Sequence, residues 1–248
     1  MNNKILYEKE NNISWIIFNR EDKLNALDFD TWSQLRDSLI KADNDDTNVI
    51  VLTGKGRAFS AGDDIYSMYN LSNPQESELF FENLFAAIDA ILNLSKPLIS
   101  AVNGLAYGGG CEILLLSDIV IAVNDAKFSI SEGKLGLIPP MASAIGYKAL
   151  GRRIMRLLLT AEEIDAKEAK EIGIVDYIVP KEELNSKILE IVKLINNLDK
   201  NSIKSIKNWT RIDRKMIEKA VRELSFMCLT SPAKERMRKF IEKRNKLT

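Results

Sequence analysis

Histidine is absent from all 248 residues. That absence removes Ser-His and Cys-His triads, imidazole general bases and HExxH zinc sites from the chemistry open to this chain. Proton transfer near neutral pH then falls to carboxylates, Lys, Tyr or Cys, each with a shifted pKa. Cysteine is nearly as scarce. Cys111 and Cys228 stand far apart without metal-ligand spacing, and they read as buried, reduced thiols of a reducing compartment. Net charge is missing as well: 35 basic residues balance 35 acidic ones, which gives no reason to expect nucleic acid as the main partner. The opening Met1-Asn-Asn-Lys-Ile-Leu-Tyr-Glu has no apolar signal core, so the expected location is cytoplasmic. The longest apolar stretch, 97–123, is interrupted by Asn103, Glu112 and Asp118 and broken by glycines at 108–110. It reads as strand, helix and strand inside a core rather than as a membrane span.

What is present is an ordinary globular composition, 46% hydrophobic and 28% charged. Residues 5–8 and 14–18 read as a β-hairpin around the turn Asn11-Asn12. Helical spacing of Phe29, Trp32, Leu35, Leu39 and Ile40 predicts a helix over 28–42, and Asp43-Asn-Asp-Asp46 after it a solvated turn. Strands are predicted at 48–53, 97–102, 118–123 and 174–179, with helices at 76–94 and from about Gly109. Strand–helix alternation argues for parallel pairing, hence an α/β fold. The chain reads as one domain, a core of 1–190 carrying a helical C-terminal extension of 191–248. That extension holds Lys200, Lys204, Lys207, Arg211, Arg214, Lys215, Lys234, Arg236, Arg238, Lys239, Lys243 and Arg244. Solvated helix faces or a subunit contact are the preferred reading of this charge, and attraction of a phosphorylated ligand or RNA the other one.

Three segments invite chemistry. Thr53-Gly-Lys-Gly-Arg-Ala-Phe-Ser-Ala-Gly-Asp-Asp64 follows a strand, and its small residues let backbone N–H groups approach a ligand. Alone, it is at least as readily a plain turn. Asn103-Gly-Leu-Ala-Tyr-Gly-Gly-Gly-Cys-Glu112-Ile-Leu-Leu-Leu116 opens a helix on three glycines, exposing free N–H groups at its positive end. Leu115 and Leu116 put Glu112 on an apolar face, where an ionised carboxylate is costly unless paired or shifted in pKa. A capped helix-start glutamate and a functional one stand at even odds here. Phe128-Ser-Ile-Ser-Glu132-Gly-Lys-Leu-Gly-Leu-Ile-Pro-Pro140 places Glu132 between a strand and a glycine- and proline-rich loop. Taken singly, Glu132 reads more readily as a surface turn residue.

Together, in this order and spacing, the segments resemble the enoyl-CoA hydratase/isomerase (crotonase) family, and the resemblance runs from Phe18-Asn-Arg-Glu-Asp-Lys-Leu-Asn-Ala-Leu27 to Phe240-Ile-Glu-Lys-Arg244. It implies a superhelix of strand–strand–helix turns with a helical C-terminal region that builds trimers, often paired into hexamers. It implies an acyl-CoA thioester as substrate, with no cofactor, no metal and no membrane partner. Glu112 and Glu132 match the two catalytic glutamates, and the N–H groups of Asp63 and Gly109 the oxyanion hole. Lys23, Ala26, Ala61, Asp63, Asp64, Ile65 and Lys243 match CoA-binding positions; Tyr66, Tyr107, Pro139 and Met141 match the acyl pocket. The chain departs from the family pattern in four places. Pro139-Pro-Met-Ala-Ser-Ala-Ile-Gly-Tyr147 replaces a glycine-rich run ending in Gln-Arg, Ser131 replaces a proline, Asp63 is a charged occupant of an oxyanion position where only the backbone N–H is called upon, and Tyr66 stands where many relatives carry a lysine. The first departure bears on the identity of the acyl group. Both glutamates favour a hydratase; an isomerase or another crotonase-type lyase, decarboxylase or hydrolase is the alternative. An RNA-binding protein on the same fold is the alternative from a different class.

Overall fold

The structure, a computed structural model, describes residues 3–246. Its first elements follow the sequence closely. Strands β1 (Ile5–Glu10) and β2 (Ile13–Phe18) form the hairpin, with Asn11 and Asn12 both at positive φ, as a tight two-residue turn requires. Helix α1 (Phe29–Asn44) is capped by Asp28, whose side chain accepts the Thr31 N–H. Next come β3 (Val49–Gly54), β4 (Ala58–Ser60), the short α2 (Ile65–Asn70) and α3 (Pro74–Leu92), the last started by Asn73 as cap and Pro74 in the first turn. The unit repeats as β5 (Leu98–Val102), β6 (Leu105–Tyr107), α4 (Gly109–Leu114), and again as β7 (Ile119–Val123) and β8 (Lys127–Ser129). Beyond a π-helical stretch at Ala142–Gly146 lie α5 (Tyr147–Leu150), α6 (Arg153–Thr160), β9 (Ile164–Asp165), α7 (Ala166–Ile172) and β10 (Tyr177–Val179). Helices α8 (Leu184–Asn196), α9 (Lys200–Trp209), α10 (Arg214–Cys228) and α11 (Ser231–Asn245) close the chain.

Each repeat sends its first strand to one sheet and its second to another. The larger sheet has six strands in the order β1-β2-β3-β5-β7-β10, parallel except for the hairpin. The smaller has four, β4-β6-β8-β9, of which β4, β6 and β8 run parallel. The fold is thus the α/β superhelix expected from the motifs. Strands β3 and β5, covered on both faces, are almost wholly buried and apolar, as central parallel strands must be. The turns of the spiral stack, so the segments that follow β4, β6 and β8 come to neighbouring places.

The C-terminal helices fold back on the core. Helix α10 lies along α3, where Ser77 Oγ donates to the Ser225 carbonyl at 2.8 Å. Helix α11 reaches α2, and Lys234 Nζ binds the carbonyls of Met68, Tyr69 and Leu71 at 3.0, 2.7 and 2.5 Å. Among the described residues no helix is long and apolar enough to cross a membrane. Both cysteines are free and buried.

Two sequence expectations are corrected. The acidic cluster after α1 is not simply a solvated turn. Asp43 accepts the N–H groups of Ser95 and Lys96 at 2.8 and 3.0 Å, and Asp45 pairs with Lys96 at 2.7 Å while binding Ser14 and Thr47. Those carboxylates cap and join neighbouring strands; only Asp46 stays in solvent. The strand predicted over 174–179 begins only at Tyr177. After Gly173 closes α7 at φ +94, the N–H groups of Ile174 and Val175 turn back to the Ala169 carbonyl.

Candidate active site

Glu112 lies in the first turn of α4 and is fully buried. Its Oε1 accepts the Ala142 N–H at 2.7 Å, and the neighbouring Met141 N–H also faces the carboxyl. Its Oε2 has no hydrogen-bond partner. Glu132 begins the tight turn Glu132–Leu135 directly beyond β8 and is 8% exposed. Its Oε2 is likewise buried and unpartnered. Neither glutamate makes an ion pair among the described residues. Burial therefore pushes both pKa values up, Glu112 well above the usual carboxylate range and Glu132 to about 8. The charge of Glu132 adds to the rise at Glu112, and that of Asp63 to both.

Between the glutamates the backbone is built to minimal width. Gly108 has φ +52, and a Cβ there would stand 2.9 Å from Glu132 Oε1. Gly62 has φ +80, and its Cβ would stand 2.7 Å from the Tyr107 carbonyl and 2.9 Å from the Gly109 nitrogen. Glycine at both positions lets the loop after β4 touch the loop after β6. The N–H groups of Asp63 and Gly109 are thereby brought close together, and neither donates to an acceptor among the described residues. Two free donors beside two proton-holding carboxyls can stabilise a developing oxyanion and move protons on the atoms next to it.

The match to known proteins then decides the family. The family model for enoyl-CoA hydratase/isomerase matches residues 8–247. The chain belongs to that family. It is an enzyme of the crotonase type. Over 257 residues it is 37% identical to the crotonyl-CoA hydratase of Syntrophomonas wolfei, covering 97% of this chain and 95% of the relative. It is 34% identical to the mitochondrial enoyl-CoA hydratase of Pongo abelii, covering 95% of this chain and 83% of that one. Among solved structures, an enoyl-CoA hydratase/isomerase from Pseudoalteromonas atlantica superposes with a TM-score of 0.86 at 25% identity, over 97% of both chains.

The other positions singled out by the crotonase resemblance gather around the same loops. Residues 24–27 run beside 61–64, through Ala61 N–H to the Leu24 carbonyl, Leu27 N–H to the Gly62 carbonyl and Asp64 N–H to the Leu27 carbonyl. This pairing assembles Lys23, Ala26, Ala61, Asp63 and Asp64. Lys23 is exposed, Ala26 buried and Ile65 half-buried at the start of α2. Asp64 caps α2 and pairs with Arg20 at 3.0 Å, so it also has a structural task. Tyr66 donates to Asn245 Oδ1 at 2.8 Å, which ties α2 to the end of α11 that carries the exposed Lys243. Tyr107 ends β6 against Gly62 and donates to Glu163. Pro139 and Met141 are buried in the segment that delivers the Ala142 N–H to Glu112.

Three participants escaped the sequence reading. The Ala142 N–H follows from the π-helical path of a loop with no local signature. The half-buried Asp63 carboxyl packs against Trp32, whose Nε1 donates to its Oδ1 at 2.9 Å, and desolvation lifts its pKa to about 7. Trp32 itself looked like one more apolar position of α1.

Proposed function

We propose that this chain is an enoyl-CoA hydratase, adding water across the α,β double bond of an acyl-CoA thioester. The observation that carries the reading is the meeting of two buried, cation-free glutamates with two unused N–H groups around a single glycine turn. The hydratase names of relatives that span nearly the whole chain support the substrate class.

In this mechanism the N–H groups of Asp63 and Gly109 hold the thioester oxygen while enolate charge develops there, each donor contributing on the order of 3 kcal/mol. One carboxylate of the Glu112–Glu132 pair takes a proton from the water that attacks the β-carbon. The other, as carboxylic acid, gives a proton to the α-carbon. A pair that shares a proton near neutral pH fills both roles at once. The chemistry draws on no cofactor and no metal, because coenzyme A is part of the substrate. Lys23, Ala26, Ala61, Asp63, Asp64, Ile65 and Lys243 are the proposed CoA contacts, and Tyr66, Tyr107, Pro139 and Met141 the proposed acyl contacts. Assembly as a homotrimer or hexamer and a cytoplasmic location complete the proposal.

One observation favours a second reading, migration of a double bond. Glu112 is completely buried and held by a backbone N–H, whereas Glu132 keeps some exposure, and one carboxylate is enough to carry a proton between carbons. Loss of the conjugated enoyl absorbance of crotonyl-CoA on mixing with the protein tests the choice. Turnover of a β,γ-enoyl-CoA without any hydration of crotonyl-CoA supports isomerisation instead.

A further inference from the structure

The chemistry above calls on the N–H of Asp63 and leaves its side chain without a task. The placement of that side chain is nevertheless specific. Its Oδ1 accepts the indole N–H of the fully buried Trp32 at 2.9 Å. Its Oδ2 lies 3.2 Å from where a Cβ on Gly109 would stand, and Glu132 Oε1 lies 2.9 Å from where one on Gly108 would stand. Two carboxyl groups from different turns of the spiral thus rest against consecutive Cα atoms, about 3.8 Å apart. Glu112 enters from the helix those glycines begin, and one oxygen on each glutamate is buried without a partner.

The cations nearby are committed elsewhere. Arg20 pairs with Asp28 and Asp64, and Lys234 is held by the carbonyls at the end of α2. The other ionisable groups facing this place are Asp64 from its own loop, Cys111 from α4 and Cys228 from α10, and none brings positive charge. Two buried carboxyls and the half-buried Asp63 carboxyl, drawn together without a cation, resist ionising all at once and divide protons among themselves.

We propose that the Asp63 carboxyl is a positioning residue of the acid–base group, sharing protons with Glu112 and Glu132 and setting their charge without touching substrate. While neutral, it leaves the two oxyanion donors unopposed. When ionised, it holds protons on the glutamates and repels charge on the thioester oxygen. Its kinetic consequence rests on the hydratase reading, whereas its titration does not, so the two can fail separately.

The test combines carboxyl carbon-13 NMR of ligand-free protein, labelled selectively at aspartate and glutamate, with the pH profile of kcat/KM for crotonyl-CoA. In the unaltered protein one aspartate is expected to titrate near pH 7, far from the ordinary value of 3.8. That resonance should vanish in Asp63→Asn and move to higher pH in Trp32→Phe, which lacks the indole donor favouring the carboxylate. In Asp63→Asn both limbs of the bell-shaped profile should move to lower pH by about one unit or more, the size that marks coupled sites. A purely structural side chain would lower the plateau and leave the limbs in place. Aspartates that all titrate in the ordinary range, or unmoved limbs in an active Asp63→Asn protein, overturn the proposal. If the unaltered protein does not hydrate crotonyl-CoA while the glutamate midpoints still fall in Asp63→Asn, the hydratase reading fails and proton sharing stands.

Discussion

Burial without a counter-ion makes Glu112 and Glu132 costly to ionise, and in the proposed mechanism the same cost keeps a proton available for the α-carbon of the enolate. Glu112→Gln and Glu132→Gln preserve shape and remove the titration. Each is expected to lower the hydration rate by about 10²–10⁴-fold with an unchanged circular dichroism spectrum. Stability should respond in a way that exposes the burial cost. Glu132 titrates at about 8 when folded against 4.5 in its ordinary state, so the folded protein binds that proton more tightly. Stability therefore falls as pH rises between those values. Calorimetric melting of Glu132→Gln should lack this part of the fall, its Tm advantage over the unaltered protein growing from pH 5 to pH 8. A constant Tm difference across that range contradicts the assigned environment. The meeting of these glutamates with the loop after β4 was legible because motif order and spacing carry it. The Asp63 carboxyl was not, since its partner Trp32 comes from α1, and no local pattern links positions 31 apart.

At the scale of elements, the site hangs on α2, which has only six residues and begins directly after Asp63 and Asp64. So short a helix has little stability of its own. Lys234 satisfies the carbonyls at its end, as a cation at a helix C-terminus should. Lys234→Met is expected to destabilise the protein by about 1.5–3 kcal/mol and to raise KM for an acyl-CoA more than it lowers kcat. Denaturant unfolding and steady-state kinetics check both parts; unchanged stability would mean that α11 does not brace α2. Long periodic elements such as α1, α3 and β3 were readable from pattern to within about two residues. Strands β4, β6 and β8 have three residues each, too few for alternation to show, and they exist because the stacked turns supply partners. The acidic cluster after α1 misled for a related reason. Asp45 is burdened by burial, yet hydrogen bonds from Lys96, Thr47, Tyr7 and Ser14 hold its pKa far below the usual range, and all but Thr47 are distant in sequence.

The whole molecule carries apolar side chains that one chain leaves in water: Trp209 is 89% exposed, Leu159 78% and Phe226 74%. Their spread over α6, α9 and α10 fits burial between copies of the chain, in line with the proposed trimer or hexamer. Sedimentation equilibrium is expected to give three or six times the chain mass, and a monomer at micromolar concentration would remove that part of the proposal. Part of the basic C-terminal charge is committed within the chain: Lys207 pairs with Asp118, Arg214 with Asp89, and Arg238 and Lys239 with neighbouring glutamates. In the proposed site one glycine turn holds a proton-sharing glutamate pair against an oxyanion hole. Its most direct test is the ultraviolet absorbance of crotonyl-CoA mixed with purified protein and, in parallel, with Glu112→Gln. Rapid loss of the conjugated thioester is expected with the first and almost none with the second. Equal rates in both, or no loss at high enzyme concentration, would contradict it.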